Sequence, residues 1–230
     1  LHTRHHLDPQ PPARRRGGTE YYLAALEALD SEMGRLFATI PKNTIVIFIG
    51  DNGTPNQTVQ DPFSRGRAKA SVFEGGTHVP IIVWGAGVTR KGQREKRLVN
   101  STDLFATIAE LAGIEHTMAT KWPEDSISFK SYLASPSGER RDFAYVEHFG
   151  PTGEASNSRR QRRRARQYGW AIRDERWRYV TGARHGEQFF DLHADPYEQN
   201  DLLSGDLSTN AKAAFDVLVS RGRKLRDGAR

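Results

Sequence analysis

The 230-residue chain contains no cysteine. Disulfides, thiolate metal sites and a cysteine nucleophile are therefore excluded within it. It has no apolar run near the roughly 20 residues that cross a bilayer. The longest, Ile45 to Ile49, has the length of a strand. No Met opens the chain, and neither a signal peptide nor a cleavage site is legible. It starts on Leu1-His2-Thr3, as the interior of a longer protein would, and so its compartment is not read from this end. Lys and Arg outnumber Asp and Glu by 34 to 28, for a net charge of +6. Much of that excess sits in Arg14-Arg15-Arg16 and in the run from Arg159 to Arg166. No aromatic residues interleave with these arginines, so a stacking platform for single-stranded nucleic acid is missing. The runs read as solvated loops, and nucleic acid is not an expected partner.

What is present is an alternation of helix and strand. Hydrophobic residues make up 37% of the chain, enough for a core. Residues 1 to 19 are rich in Pro, Arg and His and read as loop. Tyr22, Leu26, Leu29, Met33, Leu36, Phe37 and Ile40 recur at three- and four-residue spacing, which predicts a helix from Glu20 to Ile40, with Thr19 as cap and Pro41 as stop. Thr44 to Ile49 is apolar on both faces, like a strand buried on both sides of a parallel sheet. It ends on Gly50-Asp51-Asn52-Gly53. A long polar loop reaches Glu74-Gly75-Gly76, then Val79 to Trp84 reads as a second buried strand. Ser101 or Thr102 caps a helix to about Leu111. After about residue 135 the pattern becomes short strands (Phe143 to Glu147, Tyr168 to Arg173, Trp177 to Thr181, Gln188 to Leu192), with a hairpin at Asp174-Glu175 and a last helix from Asp206 to Leu225. The order implies a layered α/β class: an α/β region over 1–135 and a small antiparallel subdomain with a helix over 136–230.

Asp51 and Asn52 stand directly after a strand, where ligands gather in open α/β sheets. Their side-chain oxygens suit a hard cation such as Ca²⁺ or Mg²⁺, although Asp-Asn-Gly is also a common turn. Lys69, in a loop closed by Glu74-Gly75-Gly76, could hold an anionic oxygen as a point charge or be an exposed loop lysine. His78 has position but no assigned chemistry, and reads as structural.

Five stretches, in order, resemble the type I sulfatases of the alkaline phosphatase superfamily. They are Leu26 to Gly34, Val46 to Gly53, Lys69 to Pro80, Asp103 to Gly113 and Phe190 to Leu202, the last carrying Asp191-Leu192, Asp195-Pro196-Tyr197-Glu198 and Asn200-Asp201-Leu202. The lysine stands five positions before the glutamate, as in that family. The resemblance implies a partial alkaline-phosphatase-like sandwich and hydrolysis of a sulfate ester. It also implies a divalent cation, usually calcium, and a formylglycine nucleophile made from Cys or Ser. Asp51 and Asn52 match two metal ligands, and Lys69 matches the lysine that contacts the sulfate and assists the leaving oxygen. His2 lies where the family has a substrate-contacting His-x-Pro, with Arg4 in place of Pro; His5, His6 or none could be the counterpart. The nucleophile motif and the early aspartate pair are missing, since Ser135-Pro136-Ser137 lacks the pattern. The chain therefore reads as a C-terminal portion, expected to be inactive and poorly folded when expressed alone. A phosphonate or phosphodiester hydrolase on the same scaffold, and a non-catalytic anion-binding module, are the competing assignments. Relatives are often exported, but nothing in the chain assigns a compartment.

Overall fold

The computed structural model describes residues 18–114, 125–148 and 168–228. Helix α1 spans Gly18–Phe37. It begins two residues before the expected start and ends three before the expected end, ahead of Pro41. Its last residue, Phe37, sets its ring edge-on to Trp84 of the first sheet at 4.8 Å. That sheet is strand β1, Ile45–Ile49, beside β2, Ile81–Gly85. The two run antiparallel, from Ile45 opposite Gly85 to Ile49 opposite Ile81.

This corrects the expectation of parallel strands buried on both faces. Every residue of β1 is only half-buried, and Ile82 is 53% exposed. An unbroken apolar run specifies a strand, not its direction. Direction here is set by the loop between the strands. That loop folds back on itself, and the Gly50 N–H donates to the Pro80 carbonyl at 3.0 Å. Within the loop a short helix, α2, covers Glu74–Thr77, where the sequence reads as turn.

Helix α3, Asp103–Leu111, follows. Its Thr102 cap makes no side-chain bond to the helix. Asp103 does the work instead. Its carboxylate accepts from the Asn100 and Ile127 amides and pairs with Arg141, which ties the helix start to the following segment.

The second sheet holds β3 (Ala144–His148), β4 (Gly169–Arg173), β5 (Trp177–Gly182) and β6 (Gly186–Asp191), antiparallel and in chain order. The hairpin expected at Asp174-Glu175 joins β4 to β5. Side chains alternate across this sheet, as the two-residue period requires. Trp170, Ile172, Tyr179 and Phe189 face helix α4, Thr209–Gly228, and pack on Ala211, Leu218 and Val219. The approach is close: a Cβ on Gly222 would lie 2.1 Å from the Trp170 ring. The opposite face carries Ala171, Val180 and Phe190, which bury Val72 and Phe73. The loop that leads into α2 is therefore part of the second sheet's core.

Candidate functional site

Asp51 and Asn52 lie at the exposed end of β1. The Asn52 amide donates to Asp51 Oδ2 at 2.6 Å, so the two side chains meet at one point. Gly53 then runs against α2. Its N–H donates to the Gly76 carbonyl at 3.1 Å, and a Cβ on Gly53 would lie 1.9 Å from the Gly75 carbonyl oxygen. Only glycine fits between Asn52 and that turn.

Lys69 is joined to the same loop through its backbone. Its N–H donates to the Thr54 carbonyl at 3.0 Å, and its carbonyl accepts from the Asn56 amide at 3.2 Å. The next residue, Ala70, sits at φ 67. This left-handed conformation costs a residue bearing a Cβ about 1–2 kcal/mol. The structure thus brings the Asp51-Asn52 pair and the Lys69 backbone onto adjoining, hydrogen-bonded loops. His2, His5 and His6 lie outside the described residues, as do both arginine runs.

Two oxygen-bearing side chains are the right donor type for a hard divalent cation, but such ions take roughly six to eight oxygens. Among the described residues no group of three or more His, Cys, Asp or Glu is arranged to hold a metal ion. Asp51 and Asn52 therefore fit a part of such a shell.

Behind this surface lies a buried charge cluster that sequence reasoning missed. Glu74, at the start of α2, is 5% exposed. Its carboxylate pairs with Arg178 from β5, with Arg173 at 2.9 Å from β4, and with the His78 ring at 2.9 Å. Glu198, 1% exposed and at φ 56, accepts the Glu74 N–H at 2.7 Å. Arg178 Nε lies 3.1 Å from Glu198 Oε1, within ion-pair range but not aligned as a hydrogen bond. A charged residue reads as surface in sequence, and these partners are 104 and 124 positions apart. The available signals were the Glu74-Gly75-Gly76 motif and the Asp195-Pro196-Tyr197-Glu198 segment, and neither points to the arginines between them.

The two carboxyls respond in opposite directions. Burial pushes Glu74 up, but Arg178, the His78 ring and Arg173 outweigh it and bring the group from 4.5 to about 2. Burial also pushes Glu198 up; Arg178 and the Glu74 N–H pull it down, the Glu74 charge raises it again, Arg67 lowers it, and it settles at about 7. A carboxyl raised in the fold keeps its proton where the unfolded chain has lost it. Its stabilising contribution is therefore complete below about 4.5 and is lost as pH rises through about 7. Relative to Glu198→Gln, which cannot titrate, the wild-type full-length protein is expected to lose stability from about pH 5 to about pH 8. The loss is on the order of 3 kcal/mol. Thermal melts across that window check this; a difference that stays flat would show that Glu198 does not take up a proton there.

A family model for sulfatases matches residues 2–114. Arylsulfatase K of Gallus gallus is 26% identical over 196 residues, covering 77% of this chain and 32% of its own length. The choline-sulfatase of Rhizobium meliloti (strain 1021) is 29% identical over 187 residues, covering 79% and 32%. The chain thus spans about a third of the length of these curated relatives. Among solved structures, a protein captured with its substrate D-glucosamine-2-N,6-O-disulfate superposes with a TM-score of 0.68 at 20% identity, over 90% of this chain and 41% of that one. The phosphonate monoester hydrolase of Agrobacterium radiobacter gives 0.65 at 21% identity, over 90% and 40%. Both share this alkaline-phosphatase-like α/β fold.

Proposed function

Because this chain belongs to the sulfatase family, we propose that the intact protein hydrolyses a sulfate ester and that this chain supplies the C-terminal part of the site. One observation carries the assignment: the hydrogen-bonded junction of the Asp51-Asn52-Gly53 loop with the loops bearing Lys69 and Glu74-Gly75-Gly76. Residues 1–135 would be the closing part of the catalytic α/β domain, and 136–230 the small antiparallel subdomain. The family works with a divalent cation and a formylglycine nucleophile. Asp51 and Asn52 would hold the cation, here calcium, through the carboxylate and the amide oxygen. Bound there, it would neutralise the anionic ester and favour build-up of negative charge on the reacting oxygens.

The chain's own residues do the rest. Asp51 and Asn52 mark where the ester's anionic group comes to rest. Lys69 Nζ donates a hydrogen bond to an oxygen of that group and stabilises the charge that develops on the leaving oxygen. Gly53 lets the two loops close on each other. No Cys or Ser within this chain has the family's nucleophile motif, so the attacking group would come from outside it.

Assay of the full-length protein on matched aryl sulfate, phosphate and phosphonate esters tests the assignment. Sulfate is expected to lead in kcat/KM by at least about a hundredfold, a ratio that needs polar groups matched to one substrate. Phosphonate in the lead would transfer the site to the phosphonate hydrolases that share the fold.

A further inference from the structure

We propose that Arg178 and Glu198, both outside the candidate ligand set, are positioning residues for the Asp51-Asn52-Lys69 site, acting through Glu74. The inference rests on the site assigned above. Arg178 is anchored on β5, in the core of the second sheet, and is 3% exposed. Its guanidinium grips one short stretch at three points: the Glu74 carboxylate, the Val72 carbonyl, and the Thr77 hydroxyl at 3.1 Å. Glu198 adds a fourth hold, on the Glu74 N–H.

A rigid planar fork with several acceptors fixes orientation as well as distance, which an apolar contact of the same area would not do. The grip then passes on by direct contact. Glu74 opens the turn whose Gly75 and Gly76 backbone touches Gly53, and Gly53 follows Asn52. The cluster is also expensive to maintain. Three ionisable side chains are buried, and Glu198 holds a left-handed backbone that costs on the order of 1–3 kcal/mol. A buried ion cluster of this kind is a poor means of stabilisation when apolar residues of similar volume can do as well or better. Fixing the geometry of the turn under the site accounts for its arrangement.

The test uses the full-length protein with three readouts: calcium titration, sulfate ester kinetics, and amide exchange at Gly53 and Lys69 with Val180 as internal reference. The variants are Glu198→Ala, Arg178→Lys and the conservative Glu198→Gln. Glu198→Ala and Arg178→Lys are expected to weaken calcium binding and lower kcat/KM by roughly 10- to 100-fold, the range for groups that support ligands from behind. Exchange at Gly53 and Lys69 should quicken while that at Val180 stays unchanged. Glu198→Gln keeps an acceptor for the Glu74 N–H and should restore all three readouts to within about twofold, since only the acceptor is needed.

Folded Glu198→Ala and Arg178→Lys proteins with wild-type calcium affinity and Gly53 exchange would overturn the proposal, leaving the cluster merely structural. If one variant does not fold, the other decides. If neither does, Thr77→Val, which deletes a single acceptor of the fork, is read on the same scale. Asp51→Ala separates the two claims: if it leaves calcium binding intact, the site assignment itself fails. If it abolishes binding while the positioning variants stay neutral, only the present proposal fails.

Discussion

Replacing Lys69 by alanine in the full-length protein is expected to lower kcat for a sulfate ester by roughly 10²- to 10³-fold, with KM changed far less, as when a preorganised charge-stabilising donor is removed. A group that acts on charge appearing only in the transition state lowers kcat and kcat/KM together. The substrate should modulate the loss. An aryl sulfate releases a weakly basic oxygen that needs little help, and an alkyl sulfate releases a strongly basic one. The Lys69→Ala defect should therefore be larger on the alkyl ester. Lys69→Arg should recover only part of the activity, because a broad planar fork cannot stand in for a compact point charge. The fold should be unaffected, since the Lys69 side chain is exposed and its backbone makes the bonds to Thr54 and Asn56. Steady-state kinetics on the two esters settle this. Equal, small losses on both would return Lys69 to the status of a loop lysine.

The elements that the sequence made legible are those whose apolar residues repeat with a clear period. The helix ending at Phe37, strands β4 to β6 and the Asp174-Glu175 hairpin all fall within a few residues of expectation; in the strands the two-residue alternation sends Trp170, Ile172, Tyr179 and Phe189 to one core and Ala171, Val180 and Phe190 to the other. Strand direction was not legible. Ile45 to Ile49 is apolar throughout, and such a run is compatible with a parallel or an antiparallel neighbour. The antiparallel pairing with Ile81–Gly85 is decided by how the intervening loop closes on Pro80. The cap of α3 falls on Thr102, one of the two expected positions, but without the expected side-chain bond. Ser101 and Thr102 have the right chemistry for a cap, yet the first helix amides donate elsewhere: Leu104 and Phe105 to the Ser101 and Thr102 carbonyls, and Ala106 to the Ser126 hydroxyl, 20 positions on.

The candidate site divides the same way. Asp51 and Asn52 could be singled out because they stand between glycines at the end of a strand, and Lys69 because its loop closes on Glu74-Gly75-Gly76. The charges that hold those motifs in place could not. Glu74, Arg178 and Glu198 come from an early loop, a middle strand and a late turn, and each alone is an ordinary polar residue. Only the fold shows that they share one buried volume, and that the loop residues Val72 and Phe73 belong to the core of the second sheet.

That dependence makes Gly53→Ala the substitution with the largest expected structural effect. The added Cβ would stand 1.9 Å from the Gly75 carbonyl oxygen, 2.7 Å from Gly76 Cα and 2.8 Å from the Gly75 carbonyl carbon. All three are backbone atoms, so no side-chain rotation relieves the contact. Retreat of the turn is blocked from behind. The turn is closely packed on its own account, since a Cβ on Gly76 would lie 2.4 and 2.5 Å from the Ser71 and Ala68 carbonyl oxygens, and Glu74 is pinned by Arg178. The loops must part, which breaks the Gly53-to-Gly76 hydrogen bond and pulls Asp51 and Asn52 away from Lys69. A loss of about 4–5 kcal/mol is expected, at the upper end for a single substitution, together with loss of divalent-cation affinity and of turnover. Gly34 provides the control. It lies on the exposed side of α1, where an added Cβ has nothing within 4 Å, so Gly34→Ala should stabilise by roughly 0.5–1 kcal/mol through helix propensity alone. Urea titrations of the two variants beside wild type measure both signs in one experiment. A Gly53→Ala protein as stable as wild type would mean that the two loops are not in contact, and the shared site would lose its physical basis.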